Sequence, residues 1–199
     1  GGSSGPHLHF EIREKKSQKP LNPLLYDLPV NDLVRPQLQK LFIFYTHENV
    51  ILNRIQPILL ERVNDSLYKT AMIETSGKIG IGIQMFDRQD YSYSRNGVYS
   101  TKVFVNGKII SHYKFDKLII NESKKLYQVI DYKNYTQKRL KIFKLFYKSD
   151  NKLNFMNTLV DQGIFKVELG KSYQIIIEIE DFSGNKSTIE AFIEGTENK

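Results

Sequence analysis

The stretch that most limits what this chain can fold into is Val98 to Phe115. Two runs rich in β-branched and aromatic residues, 98–105 and 108–115, are separated by Asn106-Gly107. A two-residue connection keeps the right-handed twist of its flanking strands only if both central residues take positive φ, and Asn-Gly tolerates this best. The stretch therefore predicts a type I′ β-hairpin. Neighbouring segments must pair with that hairpin or cover it, so the question becomes which of them are also strands.

Most of them are. Leu38 to Tyr45, Ile51 to Leu60, Ile79 to Phe86, Ile164 to Leu169, Ser172 to Glu180 and Ser187 to Ile193 are short apolar or alternating runs bounded by turn residues. In 172–180 the residues Tyr173, Ile175, Ile177 and Ile179 fall on one face. Pro57 interrupts the second run. In Ile79-Gly80-Ile81-Gly82-Ile83 the glycines share one face, a pattern that suits close approach by another element. Asp87 to Gly97 reads as a long polar, tyrosine-rich loop. Between 117 and 150 the spacing predicts a short helix within 121–139 and a strand near 140–148. Residues 151–161 read as irregular. Gly170-Lys171 and Asp181-Phe182-Ser183-Gly184-Asn185 read as turns. The second of these resembles part of a calcium loop but lacks the spaced acids and terminal Glu of an EF-hand, so a structural β-turn is expected. The spacing of strands and turns predicts a mainly β fold, an immunoglobulin-like antiparallel β-sandwich. No Cys…Trp…Cys pattern is present, so a true immunoglobulin domain is excluded.

Upstream, the segment Pro20 to Pro29 carries three prolines, which forbid a regular helix or a central strand. Its leucines and Tyr26 still call for burial, and the segment is expected to wrap over a core and to end in a linker near Pro29 to Pro36. The domain organisation expected is 1–29 as one unit and 30–199 as the sandwich. Within the first unit, His7, His9, Glu11 and Arg13 alternate with Leu8, Phe10 and Ile12. As a strand this run places two imidazoles side by side on its open face, an arrangement suited to aiming nitrogens at one metal or substrate. Glu11 is expected to be a supporting or structural carboxylate and Arg13 a salt-bridge or strand-end residue.

The run Ser3-Ser4-Gly5-Pro6-His7-Leu8-His9-Phe10-Glu11-Ile12-Arg13 closely resembles the C-terminal signature of the lysostaphin/LytM-type zinc metallopeptidases, which are bacterial peptidoglycan hydrolases. The segment Pro20 to Pro23 resembles the stretch that closes such domains. The resemblance covers about the first 28 residues. It implies zinc as the cofactor, His9 as a zinc ligand and His7 as the catalytic histidine, acting as general base or transition-state stabiliser. The family's remaining ligands, a His and an Asp in a His-x-x-x-Asp motif, lie upstream of the His-x-His strand and have no counterpart in this sequence. The chain is therefore expected to be a C-terminal fragment: the terminal strand of a truncated β-rich peptidase domain followed by an accessory sandwich. Residues from about 30 onward resemble, less specifically, the β-sandwich extension of some members, with Asp-x-x-Gly-Asn near the end. The function implied is cleavage of peptidoglycan peptides in cell-wall remodelling, at the bacterial envelope or outside the cell. The alternative is a noncatalytic wall-binding or hydrolase-activating module.

Other residues do not complete the zinc set. His112 and Asp116 are formally His-x-x-x-Asp but follow the His-x-His pair and fall in the predicted hairpin, where they read as an exposed face. His47 reads as a solvated turn residue. The chain contains no cysteine, which excludes disulfides, thiol nucleophiles and Cys-ligated zinc. The net charge of +7 is compatible with an anionic partner such as peptidoglycan. The basic residues are scattered, with neither a recognition-helix pattern nor an aromatic-basic platform, so nucleic acid is not expected. No apolar run approaches the length of a membrane span. With one expected ligand and one catalytic neighbour, this chain alone should not bind catalytic zinc tightly. Isothermal titration of zinc into the isolated chain should show no stoichiometric tight site that depends on His9, and finding one would contradict the fragment reading.

Overall fold

The computed structural model describes residues 5–6, 10–28, 30–47, 50–116, 126–147 and 153–197. Among these the chain is mainly β. A small antiparallel pair, β1 (Ile12–Arg13) and β2 (Pro20–Leu21), encloses the charged turn at 14–19. A short 3-10 turn, Pro23–Tyr26, follows and leads into an extended linker. Asn22 caps this turn by accepting from the Leu24 N–H, and Pro23 opens it with its φ already fixed. The sandwich strands then run in order: β3 (Gln37–His47), β4 (Val50–Leu59), β5 (Glu61–Arg62), β6 (Leu67–Lys69), β7 (Ile73–Thr75), β8 (Gly77–Phe86), β9 (Ser100–Val105) and β10 (Lys108–Lys114). Two short helices, α1 (Leu126–Val129) and α2 (Tyr132–Lys138), precede β11 (Phe143–Lys144), β12 (Met156–Leu159), β13 (Phe165–Val167), β14 (Ser172–Glu180) and β15 (Lys186–Gly195).

The strands form two large sheets. One has the order β12-β10-β9-β14-β15-β6-β5, with β7 also pairing to β15. The other has the order β11-β8-β3-β4, with β13 also pairing to β8. Ile175, Ile177, Ile179, Ile189, Ala191 and Ile193 from the first sheet and Leu41, Ile43, Ile79, Ile81 and Ile83 from the second share one buried core. That is a β-sandwich, with the period-2 alternation of β14 and β8 setting which residues enter it. The hairpin forms as expected: β9 and β10 pair antiparallel across Asn106 (φ 48°) and Gly107 (φ 76°). Pro57 is accommodated because β4 is the edge strand of its sheet.

The glycine face of β8 has its partner. A Cβ on Gly80 would stand 2.5 Å from Cδ1 of Phe146, and one on Gly82 would stand 2.5 Å from Cε2 of Phe44. Phe42, Phe44, Ile142 and Phe146 form a second buried cluster on this outer face, so the sheet is covered on both sides. The chain from Leu140 to Tyr147 is the cover.

Several expectations are corrected. Residues 156–159 form a strand rather than an irregular stretch, because Met156-Asn157-Thr158-Leu159 is held by pairing to β10 rather than by alternation of its own. The short strands β5, β6 and β7 carry no periodic signal, and β6 and β7 pair parallel to β15. Phe10 is 61% exposed, so the alternation of the N-terminal run does not correspond to a buried face there. Leu25 and Tyr26 are also nearly half exposed, since the turn at 23–26 lies on the surface rather than over the core. Gly80→Ala should destabilise the protein by about 1–3 kcal/mol through overpacking against the Phe146 ring. Urea unfolding checks this, and an unchanged midpoint would mean that the cover over β8 is loose.

Candidate functional site

His7 and His9 lie outside the described residues. Their neighbours do not. Arg13 Nε donates to Glu11 Oε1 at 2.6 Å on an exposed surface, so Glu11 and Arg13 form a salt bridge with each other. His47 is the exposed last residue of β3 rather than part of a turn. His112 is half-buried rather than exposed, with Nε2 3.3 Å from Ser100 Oγ. Burial, then the charges of Lys102 and Lys114, hold its pKa below the ordinary histidine value. Asp116 accepts from the Tyr99 hydroxyl and pairs with Lys114 Nζ at 3.1 Å. His112 and Asp116 therefore have separate partners.

A groove of about 840 Å³ lies between the N-terminal segment and one end of the sandwich. Pro20 to Leu24 form one wall, and Tyr99, Phe115, Phe143 and Phe182 contribute aromatic surface to it. The wall is fixed by one backbone and one side-chain hydrogen bond: the Asn22 N–H donates to Asp116 O at 3.4 Å, and Asn22 Nδ2 donates to Phe115 O at 3.4 Å. Tyr99 packs edge-on against Phe182, with centroids 5.0 Å apart. Burial first, then the hydrogen bond to Asp116, raises the pKa of the Tyr99 hydroxyl, so Tyr99 stays neutral and donates. Arg95, Arg139 and Lys141 bring positive charge to the groove.

At one end of the groove three carboxylates meet. Asp32 comes from the linker, Asp87 from the residue after β8, and Asp181 from the residue after β14. One oxygen from each lies within 4.8 Å of the others, and among the described residues this is the one such group able to hold a metal ion. All three residues are buried. Their backbones are placed by short-range bonds. Asp87 is bridged to Asn96 in both directions, at 3.0 and 2.8 Å. Asp181 accepts from the Asn185 N–H at 2.9 Å and from Asn185 Nδ2 at 2.7 Å, which closes the β14–β15 turn. The turn expected at 181–185 is thus present. The same Nδ2 also donates to Asp32 O at 2.9 Å and ties the linker to the turn. Asp32 Oδ1 accepts from the Val34 N–H at 3.1 Å.

The carboxylates are not equally provided for. Asp87 Oδ1 is fully enclosed and has no hydrogen-bond partner. Burial, then the charges of Asp181 and Asp32, push the Asp87 carboxyl up to about 7, against a smaller opposing effect of the Arg88 N–H. Burial likewise raises Asp32. None of the three forms an ion pair with a basic side chain among the described residues. The donor set is oxygen alone, which suits hard cations and is unlike a His-containing zinc site. Sequence reasoning placed Asp181 in a turn, noting a partial likeness to a calcium loop that it set aside. Asp32 and Asp87 gave no signal, since nothing local marks two single acids that the fold brings together from separate strand ends.

No family model, curated protein or solved structure matches this chain.

The sign of the Asp87 effect is fixed by its raised pKa. The folded state keeps a proton that the unfolded chain releases above pH of about 4, so the associated stability is complete below about 4 and is lost as pH rises through about 7. In metal-free buffer Asp87→Asn should equal the parent near pH 4 and exceed it by on the order of 3 kcal/mol at pH 8. Denaturant titrations at the two pH values check this, and a pH-independent difference would refute it.

Proposed function

We propose that this chain carries the closing strand of a bacterial zinc metalloendopeptidase that cleaves peptidoglycan peptides, with residues 30–199 as its accessory sandwich. The observation that carries this reading is the run Ser3 to Arg13, in which a His-x-His pair sits inside Gly-Pro and Phe-Glu flanks. In this reading His9 would be a zinc ligand and His7 would serve as general base or transition-state stabiliser. When bound, the zinc supplies Lewis acidity and an activated water. The other ligands are expected upstream in the same reading frame. The docking of Pro20 to Leu24 against Phe115 and Asp116 supports the role given to the sandwich. It ties the segment that follows the motif to the accessory domain, so the sandwich would hold the peptidase end in a set orientation at the bacterial envelope or outside the cell.

A second reading, wall binding without catalysis, is favoured by a separate observation. Tyr91 and Tyr93 have fully exposed side chains in the loop between β8 and β9, and the adjoining groove carries Arg95, Arg139 and Lys141. Exposed tyrosine rings stack on sugars and peptides, and the cations suit the carboxylates of peptidoglycan stem peptides.

The two readings separate by experiment. Protein expressed from the complete reading frame and loaded with zinc should release soluble fragments from purified peptidoglycan, and His9→Ala or His7→Ala should lower that release by about 100-fold or more. A reading frame without an upstream His-x-x-x-Asp, or release unaffected by His9→Ala, overturns the enzyme reading. In the binding reading, residues 30–199 co-sediment with purified walls at low salt, and Tyr91→Ala with Tyr93→Ala reduces the bound fraction. Absence of co-sedimentation removes it.

A further inference from the structure

We infer that Asp32, Asp87 and Asp181 form a binding site for a hard divalent cation, calcium by its chemistry, which fastens the linker before β3 to the end of the sandwich. Three buried acids in a group do not by themselves make a site. The second observation is Asp87. Its residue is 6% exposed, one of its carboxylate oxygens lies within 4.8 Å of an oxygen of each of the other two acids, and its Oδ1 is enclosed with no hydrogen-bond partner. Buried carboxylate oxygens almost always have a partner, and Oδ1 of Asp87 has none among the described residues.

The spacing suits the missing partner. Oxygens on opposite sides of a calcium ion with bonds of about 2.4 Å stand about 4.8 Å apart. The three carboxylate oxygens all fall within 4.8 Å of one another. An ion among them could therefore touch all three with little movement. The donors are all oxygen, with no imidazole or thiolate, which disfavours zinc. They come from a linker, a strand end and a turn, and calcium tolerates such irregular geometry better than magnesium, which demands a near-ideal octahedron. The guanidiniums of Arg95 and Arg88 lie over the Phe86 ring, at 4.6 and 5.3 Å from its centroid. The hydrogen bonds already present leave the site its ligands. Asn185 donates to both oxygens of Asp181, and Val34 donates to Asp32 Oδ1, which orients these carboxylates while leaving further lone pairs free.

The consequence is mechanical. Asp32 belongs to the stretch that joins Pro20 to Leu24, one wall of the groove, to β3. At present that stretch is tied to the sandwich by the Asn185 bond to Asp32 O and by Ser187 Oγ donating to Pro36 O at 2.7 Å. A cation bridging Asp32 to Asp87 and Asp181 adds a crosslink between the linker and both sheets. The inference does not depend on the peptidase reading, since it uses none of the residues of the His-x-His motif.

The test uses the full chain at pH 7.5 after chelation and gel filtration. With affinity in the range of extracellular calcium modules, 5 mM calcium chloride should raise the Tm by roughly 3–8 °C and slow amide exchange across residues 30–36. Asp87→Asn and, separately, Asp32→Asn should each abolish both effects. Both variants keep the side-chain shape, and Asp32→Asn keeps an acceptor for the Val34 N–H, so folding is retained. No calcium-dependent shift in the parent overturns the proposal and leaves a carboxyl group sharing a proton. A shift that both variants retain overturns it by placing the ion elsewhere. A shift given by zinc and not by calcium overturns the assignment to a hard cation.

Discussion

The structure depends on the close approach of Phe146 to the backbone of β8. That strand is buried on both faces, by isoleucines toward the shared core and by glycines toward an outer layer of Phe44, Ile142 and Phe146. A sheet in a sandwich usually leaves its outer face to water. Here the absence of side chains at Gly80 and Gly82 lets a length of irregular chain lie flat against it. The arrangement also holds β11 in place, since Phe143 and Lys144 pair with Ile83 and Gly82. Anchored in this way, the covering segment carries Lys141 and Phe143, with Arg139 just before it, to the wall of the groove. Packing on the outer face of one sheet thus positions the charges at the end of the molecule.

The same end collects the termini of elements from both sheets. β8 finishes at Phe86, β14 at Glu180, and the linker arrives just before β3. Chain reversals gather at sandwich ends as a matter of geometry, and turn residues are polar because their backbones must be solvated or capped. What is unusual here is that three acidic side chains at these reversals point inward rather than to water. The Asn185 side chain, donating to Asp181 and to the Asp32 carbonyl at once, draws those two residues together.

Much of this was legible in the sequence, for identifiable reasons. The β9–β10 hairpin was readable because Asn106-Gly107 admits few backbone geometries. β14 was readable because Ile175, Ile177 and Ile179 alternate strictly. The glycine pattern in β8 correctly announced a close neighbour, though not that Phe146 would be that neighbour. β12, β6 and β7 were hidden because their strand character is conferred by a partner: β12 is held against β10, and β6 and β7 lie along β15, without alternation of their own. Tertiary context decides such strands more than propensity does. The carboxylate group was hidden for a related reason. Each acid is unremarkable in its own window, and only the long-range bond between Asn185 and Asp32 reveals that those windows adjoin.

The position of β15 has a consequence for how the chain acquires its structure. β15 pairs antiparallel with β14 on one side and parallel with β6 and β7 on the other. All three partners precede it in sequence, two of them by more than half the chain. As the protein emerges from the ribosome, β6 and β7 must wait without their hydrogen-bonding partner until β15 is made, and the edge of β14 stays open until then. Sheets closed by such distant pairings form slowly, because loop closure must precede the contacts that reward it. Ile189 and Ile193, fully buried once β15 is seated, are therefore among the last core residues to be enclosed.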